Sequence, residues 1–378
     1  MALGLFLFGL GSQAKADIAE SGVCTTPVKI GRADSDYSAR VYNNNGVSRI
    51  YVYRNFQPRN TAAFVEISPG IDGTFGTPDD QERVVPEKVD EVSGNIAITR
   101  PFRSNSYWPS ASAIIRKAGS DNLLFTADDT TINLGYAVPV TQVHTKDIIQ
   151  GDMLIYRDAT GGISVCDHTI NAGAGSCANG AWPVPRCTSA LGCLFPYDYL
   201  GASVFKQKIN GIFEPIVLMM DGVNFKYAVY MLNYGVSFPI NVPLKPTYGL
   251  LMHDIEGTTL FYDDYDLNTN ERVMGSVNLD YNSSSFLAGK EHQRTNFLGY
   301  LRVVSNGAPQ GSNMPPYIFH DGNSYGFKYR DDARNITRQI TDSPGFIFEP
   351  QSMNQNLIVG QGVSPSTNSF FVAVTSCD

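Results

Sequence analysis

Short apolar runs closed by polar residues or glycine recur along the whole chain, and they come in pairs. The first member of each pair lies at residues 50–55 (IYVYRN), 96–100 (IAITR), 153–158 (MLIYRD), 216–221 (IVLMMD), 250–254 (LLMHD), 317–321 (YIFHD) and 356–360 (NLIVG). The second follows at residues 63–67, 113–116, 163–166, 227–231, 259–262, 325–329 and 370–374. An apolar run of this kind, bounded by turn formers, is the pattern of a buried strand feeding a hairpin. Most pairs lead into a polar turn and a further, more polar strand; residues 265–271 (YDLNTNE) and 329–335 (YRDDARN) are plain forms of that turn. No Ala/Leu/Glu/Lys-rich run with helical spacing interrupts the series.

A long form of the turn occurs twice. Residues 70–80 (GIDGTFGTPDD) return without a gap as residues 119–129 (GSDNLLFTADD), with the glycine, the first Asp, the Thr and the final Asp pair in register. Four antiparallel strands in a copied unit of roughly 40 to 50 residues make the blade of a β-propeller. The runs predict an all-β fold of seven such blades, with six as the alternative count because the units are unevenly spaced. The last unit runs out of sequence after residue 374, so residues 27–30 (PVKI) are expected to supply its missing strand. That pairing closes the ring and removes free sheet edges. It also brings Cys24 beside Cys377, and a bond there closes a loop of about 350 residues, stabilising by more than roughly 4 kcal/mol on chain-entropy estimates.

Composition agrees with sheets. Charged residues make up only 17%, against Tyr 20, Phe 21, Gly 35 and Pro 21, and aromatic side chains pack well on a pleated surface. A net charge of −8 without a Lys/Arg cluster argues against nucleic acid as partner. Residues 1–10 (MALGLFLFGL), followed by Ala14-Lys15-Ala16, read as a removed export signal over residues 1–16. The apolar stretch is shorter than the roughly 20 residues that span a bilayer, so no stable membrane insertion is expected once it is gone. Residues 17–378 then form a single propeller domain, with a disulfide-rich loop at 166–193 and an insertion near 280–312. An even cysteine count, six, fits an oxidising compartment. Cys166, Cys177, Cys187 and Cys193 lack the spacing of a metal site and are expected to pair among themselves, with the connectivity open. A periplasmic or secreted monomer follows.

The strand type IYVYRN, the segment VSGNIAITR (92–100) and the GIDGTFGTPDD turn together resemble exported bacterial propellers of the TolB-like type. The resemblance is clearest over residues 40–160. It implies a propeller, often of six blades, that binds a protein or ligand through one face, with the repeat serving as scaffold and carrying no catalytic role.

Two sets of residues remain as candidate chemistry. Asp72, Asp79 and Asp80, with Asp121, Asp128 and Asp129, gather carboxylates in loops rich in Gly and Thr. Calcium takes six to eight oxygen ligands, and these turns are its candidate site, though without EF-hand spacing. The competing reading is a capped hairpin in which Asp side chains accept backbone N–H groups and glycines supply positive φ. Asn122 stands where Gly73 does and is expected to tighten or distort the second turn. The other set, Arg54, Arg100, Arg157, His253 and His320, takes equivalent places in successive units and would form a rim for an anionic or glycan ligand. Nucleophile-elbow, zincin and Walker motifs are missing. The leading expectation is therefore a non-enzymatic scaffold for a protein or glycan partner. The alternatives are a polysaccharide hydrolase or lyase acting in the axial channel, and a structural envelope protein.

Overall fold

The computed structural model describes residues 22–377 except 33–38, 45–46, 57–60, 86, 102–111, 138–148, 159–161, 185–198, 222–225, 241–253, 257, 267–270, 297–300, 303–315, 321–325, 332–333 and 355. Its strands form seven four-stranded antiparallel sheets. Six are simple meanders: blades 1 to 6 span residues 39–85, 87–136, 149–183, 199–240, 254–296 and 301–340. In each, the strand that comes first lies at one edge and the fourth at the other. Blade 7 is assembled from both ends of the chain, with Val28–Arg32 pairing antiparallel to Ser369–Ser376, which pairs in turn with Leu357–Ser364 and Ile347–Asn354. The protein is a seven-bladed β-propeller closed by its N-terminal strand.

Middle strands carry the core. Met153–Arg157 and Ile163–Asp167 of blade 3 are buried on nearly every residue, because each side of a blade packs on a neighbour. Two-sided burial replaces alternation with a continuous apolar run. The outer strand Gln81–Val85 reverts to an exposed pattern with only Val85 buried. Apolar clusters join blade 7 to 1 through Val41, Ile50 and Val372, blade 2 to 3 through Ile98, Ile115 and Leu154, and blade 4 to 5 through Ile216, Val229 and Leu260. Cys24 and Cys377 are bonded across a separation of 353 residues. Beside them Cys24 N–H donates to Gln339 O at 2.9 Å, and Gln339 N–H donates to Gly22 O at 3.0 Å, so the N-terminus is also laced to blade 6.

Blade 5 differs from the sequence reading. Within residues 280–312 the described part includes the outer strand Gly289–Asn296 of blade 5 and the inner strand Leu301–Arg302 of blade 6, and residues 297–300 and 303–312 lie outside the described residues. In blade 5 the second strand is Thr259–Asp266, with Asp254–Glu256 inside it. The hairpin over residues 250–262 therefore sits one strand earlier in the unit than its apolar pattern suggested. Short runs look alike whichever strand of a blade they form.

Candidate functional site

Strands alternate in direction, so in every blade the first-to-second and third-to-fourth connections emerge at the same end of the ring. The acidic turns are third-to-fourth connections, following Thr61–Ser68 in blade 1 and Ser112–Lys117 in blade 2. Their carboxylates turn inward. Asp79 Oδ2 accepts from Ile71 N–H at 2.7 Å, Asp72 Oδ1 from Thr74 N–H at 2.8 Å, and Asp80 Oδ2 from Gly76 N–H at 2.8 Å. The second copy repeats the set: Asp128 Oδ2 accepts from Ser120 N–H at 2.7 Å, Asp121 Oδ1 from Leu123 N–H at 2.8 Å, and Asp129 Oδ2 from Phe125 N–H at 2.7 Å. A Cβ on Gly70 or Gly119 would overlap the Asp79 or Asp128 carboxylate, which is why each motif opens on glycine. Thr77 donates its hydroxyl to Asp79 at 2.5 Å and, with the backbone N–H groups, holds that carboxyl below its ordinary pKa. Thr126 and Ser120 hydroxyls bring Asp128 down to about 2. Among the described residues no group of three or more His, Cys, Asp and Glu side chains is arranged for a metal ion.

The same turns are wedges between blades. Phe75 packs on the cluster joining blades 7 and 1, and Leu124, 1% exposed, is the corresponding residue of blade 2. Beside Leu124, Phe125 meets the Tyr51 ring of blade 1 edge-on at 5.7 Å, and the Arg116 guanidinium lies 5.5 Å over the Phe125 ring. Arg83 of blade 1 donates to Leu124 O at 2.7 Å and also to buried Glu66 at 3.0 Å. Arg49 and Tyr51 complete the Glu66 network at 2.9 and 2.5 Å. Sequence reasoning missed this network. Its signal was a charge inside the apolar run AFVEI, a residue type almost never buried unless paired.

The third such connection is the disulfide loop. Cys166 pairs with Cys177; Cys187 and Cys193 lie outside the described residues. Asp167 accepts from Lys206 of blade 4 at 2.9 Å, and Lys206 also meets Asp152 at 2.5 Å. On the other flank, Lys117 of blade 2 donates to the His168 carbonyl. The His168 ring is buried, with Nε2 at 3.2 Å from Gly151 O and Nδ1 left without a partner among the described residues, and burial pushes its pKa down.

The proposed rim is only partly described. Arg54, Arg100 and Arg157 lie toward the same ends of second strands, in blades 1, 2 and 3. Arg100 is held by Asp90, with Nε at 2.5 Å and Nη2 at 2.7 Å, at the bulge between Val89 and Glu91. His320 ends the second strand of blade 6. His253 lies outside the described residues.

Blades 4 and 5 present a different surface at the end that carries the acidic turns. Ile212 and Phe213, 65% and 59% exposed, follow the turn of the long hairpin Tyr199–Ile209 and Ile212–Asp221. Tyr234 and Val236 flank the next turn, and Tyr281 comes from the adjoining turn of blade 5; all three are more than two-fifths exposed. Phe238, Tyr281 and Phe286 form a mutual cluster at 5.2–6.0 Å. Lys206 and Lys208 stand 5.0 and 5.9 Å over the Phe213 ring. Gln207 and Asp280 bond across the blade junction, and Asn282 donates to Lys208 O at 2.8 Å, fixing this surface in place.

No family model and no curated protein matches the sequence. Among solved structures, the chain is similar to the β-propeller domain of Cps50 (Swd1) from Myceliophteria thermophila, with 9% identity, 93% of this chain and 100% of that one covered, and a TM-score of 0.46. It is similar to YCF48 from Cyanidioschyzon merolae at 9% identity, covering 92% and 98%, with a TM-score of 0.44. It also resembles the α-L-arabinofuranosidase Arb93A from Fusarium graminearum at 9% identity, covering 94% and 98%, with a TM-score of 0.34. The propeller fold itself rests on the strand topology.

Proposed function

We propose that the protein is an exported, non-enzymatic β-propeller scaffold of TolB-like type that holds a protein or glycan partner in the periplasm or outside the cell. The observation that carries this reading is the exposure of Ile212, Phe213, Tyr234, Val236 and Tyr281, all on turns at one end of blades 4 and 5. Large apolar side chains exposed together on one end of a fold mark interaction sites. Disulfides persist in oxidising compartments, and the bonds Cys24–Cys377 and Cys166–Cys177 support export. In this reading the acidic turns act as caps and wedges and need no cofactor. The test compares wild type with the double variant Phe213→Asp/Tyr234→Asp on a glycan array and by photo-crosslinking in envelope preparations. Loss of the bound species at an unchanged melting temperature is expected. Equal binding by both forms would overturn the role of this surface.

A further inference from the structure

We propose that His168 makes the junction of blades 2, 3 and 4 sensitive to acid: a proton taken up by its buried ring releases the disulfide loop from the turn at Gly151 and Asp152. Several ties meet at this residue. Its ring Nε2 lies 3.2 Å from Gly151 O, and its backbone N–H donates to Asp152 O at 3.0 Å. Both acceptors sit in the turn between the first two strands of blade 3, Ile149–Gln150 and Met153–Arg157. The His168 carbonyl accepts from the Lys117 ammonium of blade 2. Next in the chain, Asp167 accepts from Lys206 of blade 4, which also meets Asp152. By contrast, Asp167 N–H donates to Gly175 O and Ser176 N–H to Gly173 O within the loop itself, and the Cys166–Cys177 bond closes it.

That geometry fixes the chemistry of the ring. A carbonyl oxygen only accepts, so Nε2 carries the proton of the neutral imidazole and Nδ1 is left as a lone pair. Nδ1 is buried without a hydrogen-bond partner among the described residues, and the residue is 5% exposed. A second proton would create a donor with no acceptor there and a charge out of water, and both are costly. The charged groups facing the ring divide. Lys117 opposes the imidazolium, whereas Asp152 and Asp167 favour it. Lys206 already shares both of those carboxylates. Burial is the largest influence and, with Lys117, it keeps the ring neutral to below its ordinary 6.5. Once the loop is released, the ring reaches water and takes the proton at its ordinary value. Stability of the closed junction is thus present in full above 6.5 and is lost as pH falls from there toward the lower folded value. One proton is involved, so opening becomes more favourable by up to about tenfold per pH unit. Histidine is the side chain whose ordinary pKa suits a switch near neutrality. The Cys166–Cys177 bond confines the released segment to the residues it encloses.

Amide hydrogen exchange on the mature chain at about pH 7.5 and about pH 5.5, corrected for the intrinsic exchange rate, tests the proposal. The His168 amide, bonded to Asp152 O, should lose protection by up to about tenfold per pH unit. Core amides of blade 4, such as that of Val217, should keep theirs. His168→Gln retains a donor for Gly151 O and cannot take up a proton, so its loop should exchange at the same corrected rate at both pH values. Should melting show that this variant does not fold, the wild-type ring decides. Its nitrogen shifts should report the Nε2–H tautomer at neutral pH and a titration below 6.5. Equal protection of the wild-type loop at the two pH values overturns the proposal. So does an acid response that persists in His168→Gln, or a ring that titrates at 6.5 or above.

Discussion

The two acidic turns share a sequence and a backbone but not an environment. Both place their fourth motif residue at positive φ, Gly73 at 70° and Asn122 at 57°, and both do so again at the seventh, Gly76 at 89° and Phe125 at 65°. Asn tolerates the left-handed region because its short side chain bonds locally, so Asn122 leaves the second turn undistorted. Phe125 is different. A large side chain in that region is strained, and its contacts with Tyr51 and Arg116 compensate. Gly76 cannot follow, since a Cβ there would strike Val28 of the closing strand.

The final carboxylates diverge further. Asp129 is nearly buried and lies 3.4 Å from Arg116, which also bonds Glu87 at 2.6 Å. In the first copy Ile67 stands where Arg116 does, packed in the core. Among the described residues Asp80 therefore meets no cation, and its Oδ1 is buried without a hydrogen-bond partner. Burial pushes its pKa up, and the neighbouring Asp79 and Asp72 charges add to the shift. One motif thus caps a hairpin at an ion-paired junction in blade 2 and at an unpaired one in blade 1.

That contrast can be tested by mutation, beginning with the wedges. Leu124→Ala empties a buried site and should cost about 2–5 kcal/mol in urea unfolding. Phe75→Ala, at a half-buried site, should cost only about 1 kcal/mol; equal losses would erase the distinction. Next in size is backbone strain. Gly76→Ala should lower stability by on the order of 1–3 kcal/mol, whereas Asn122→Gly should change it by no more than about 0.5 kcal/mol.

Charge separates the turns again. Asp80→Asn should raise the melting temperature at neutral pH, and Asp129→Asn, which removes the partner of Arg116, should lower it. The raised pKa of Asp80 means its contribution is present in full below its unfolded value of 3.8 and is lost as pH rises through the higher folded value. Asp128 has the opposite sign: its contribution is present above 3.8 and is lost as pH falls toward about 2. Acid titration of Asp80→Asn and Asp128→Asn against wild type should therefore show changes of opposite slope. Calcium should have the smallest effect. With the carboxylates committed to backbone N–H groups, saturating calcium and chelator should give the same melting temperature. A rise in calcium would show that these oxygens turn outward to a metal.

Much of the ring was legible in the paired apolar runs. Two-sided burial of middle strands writes continuous runs such as MLIYR and ISVCD, and a blade cut by the chain ends must be completed from the N-terminus. Seven blades, the closing strand and the Cys24–Cys377 bond follow from those facts. Phase was harder to read, because an inner and a second strand carry the same short pattern. Blade 5 reads one strand out of phase for that reason.

The sequence by itself determined the repeating unit and the glycine at the head of each acidic turn, which depend on contacts between near neighbours in the chain, and the way the ring closes, which follows from a last unit one strand short. Only the tertiary structure decided what those turns do. Whether Phe125 meets Tyr51, and whether the Leu124 carbonyl meets Arg83, depends on groups of two blades brought together by packing. The surface of Ile212, Phe213, Tyr234 and Tyr281 has the same origin. Its residues belong to three separate turns in two blades, and only the packing of those blades sets them at one end of the ring.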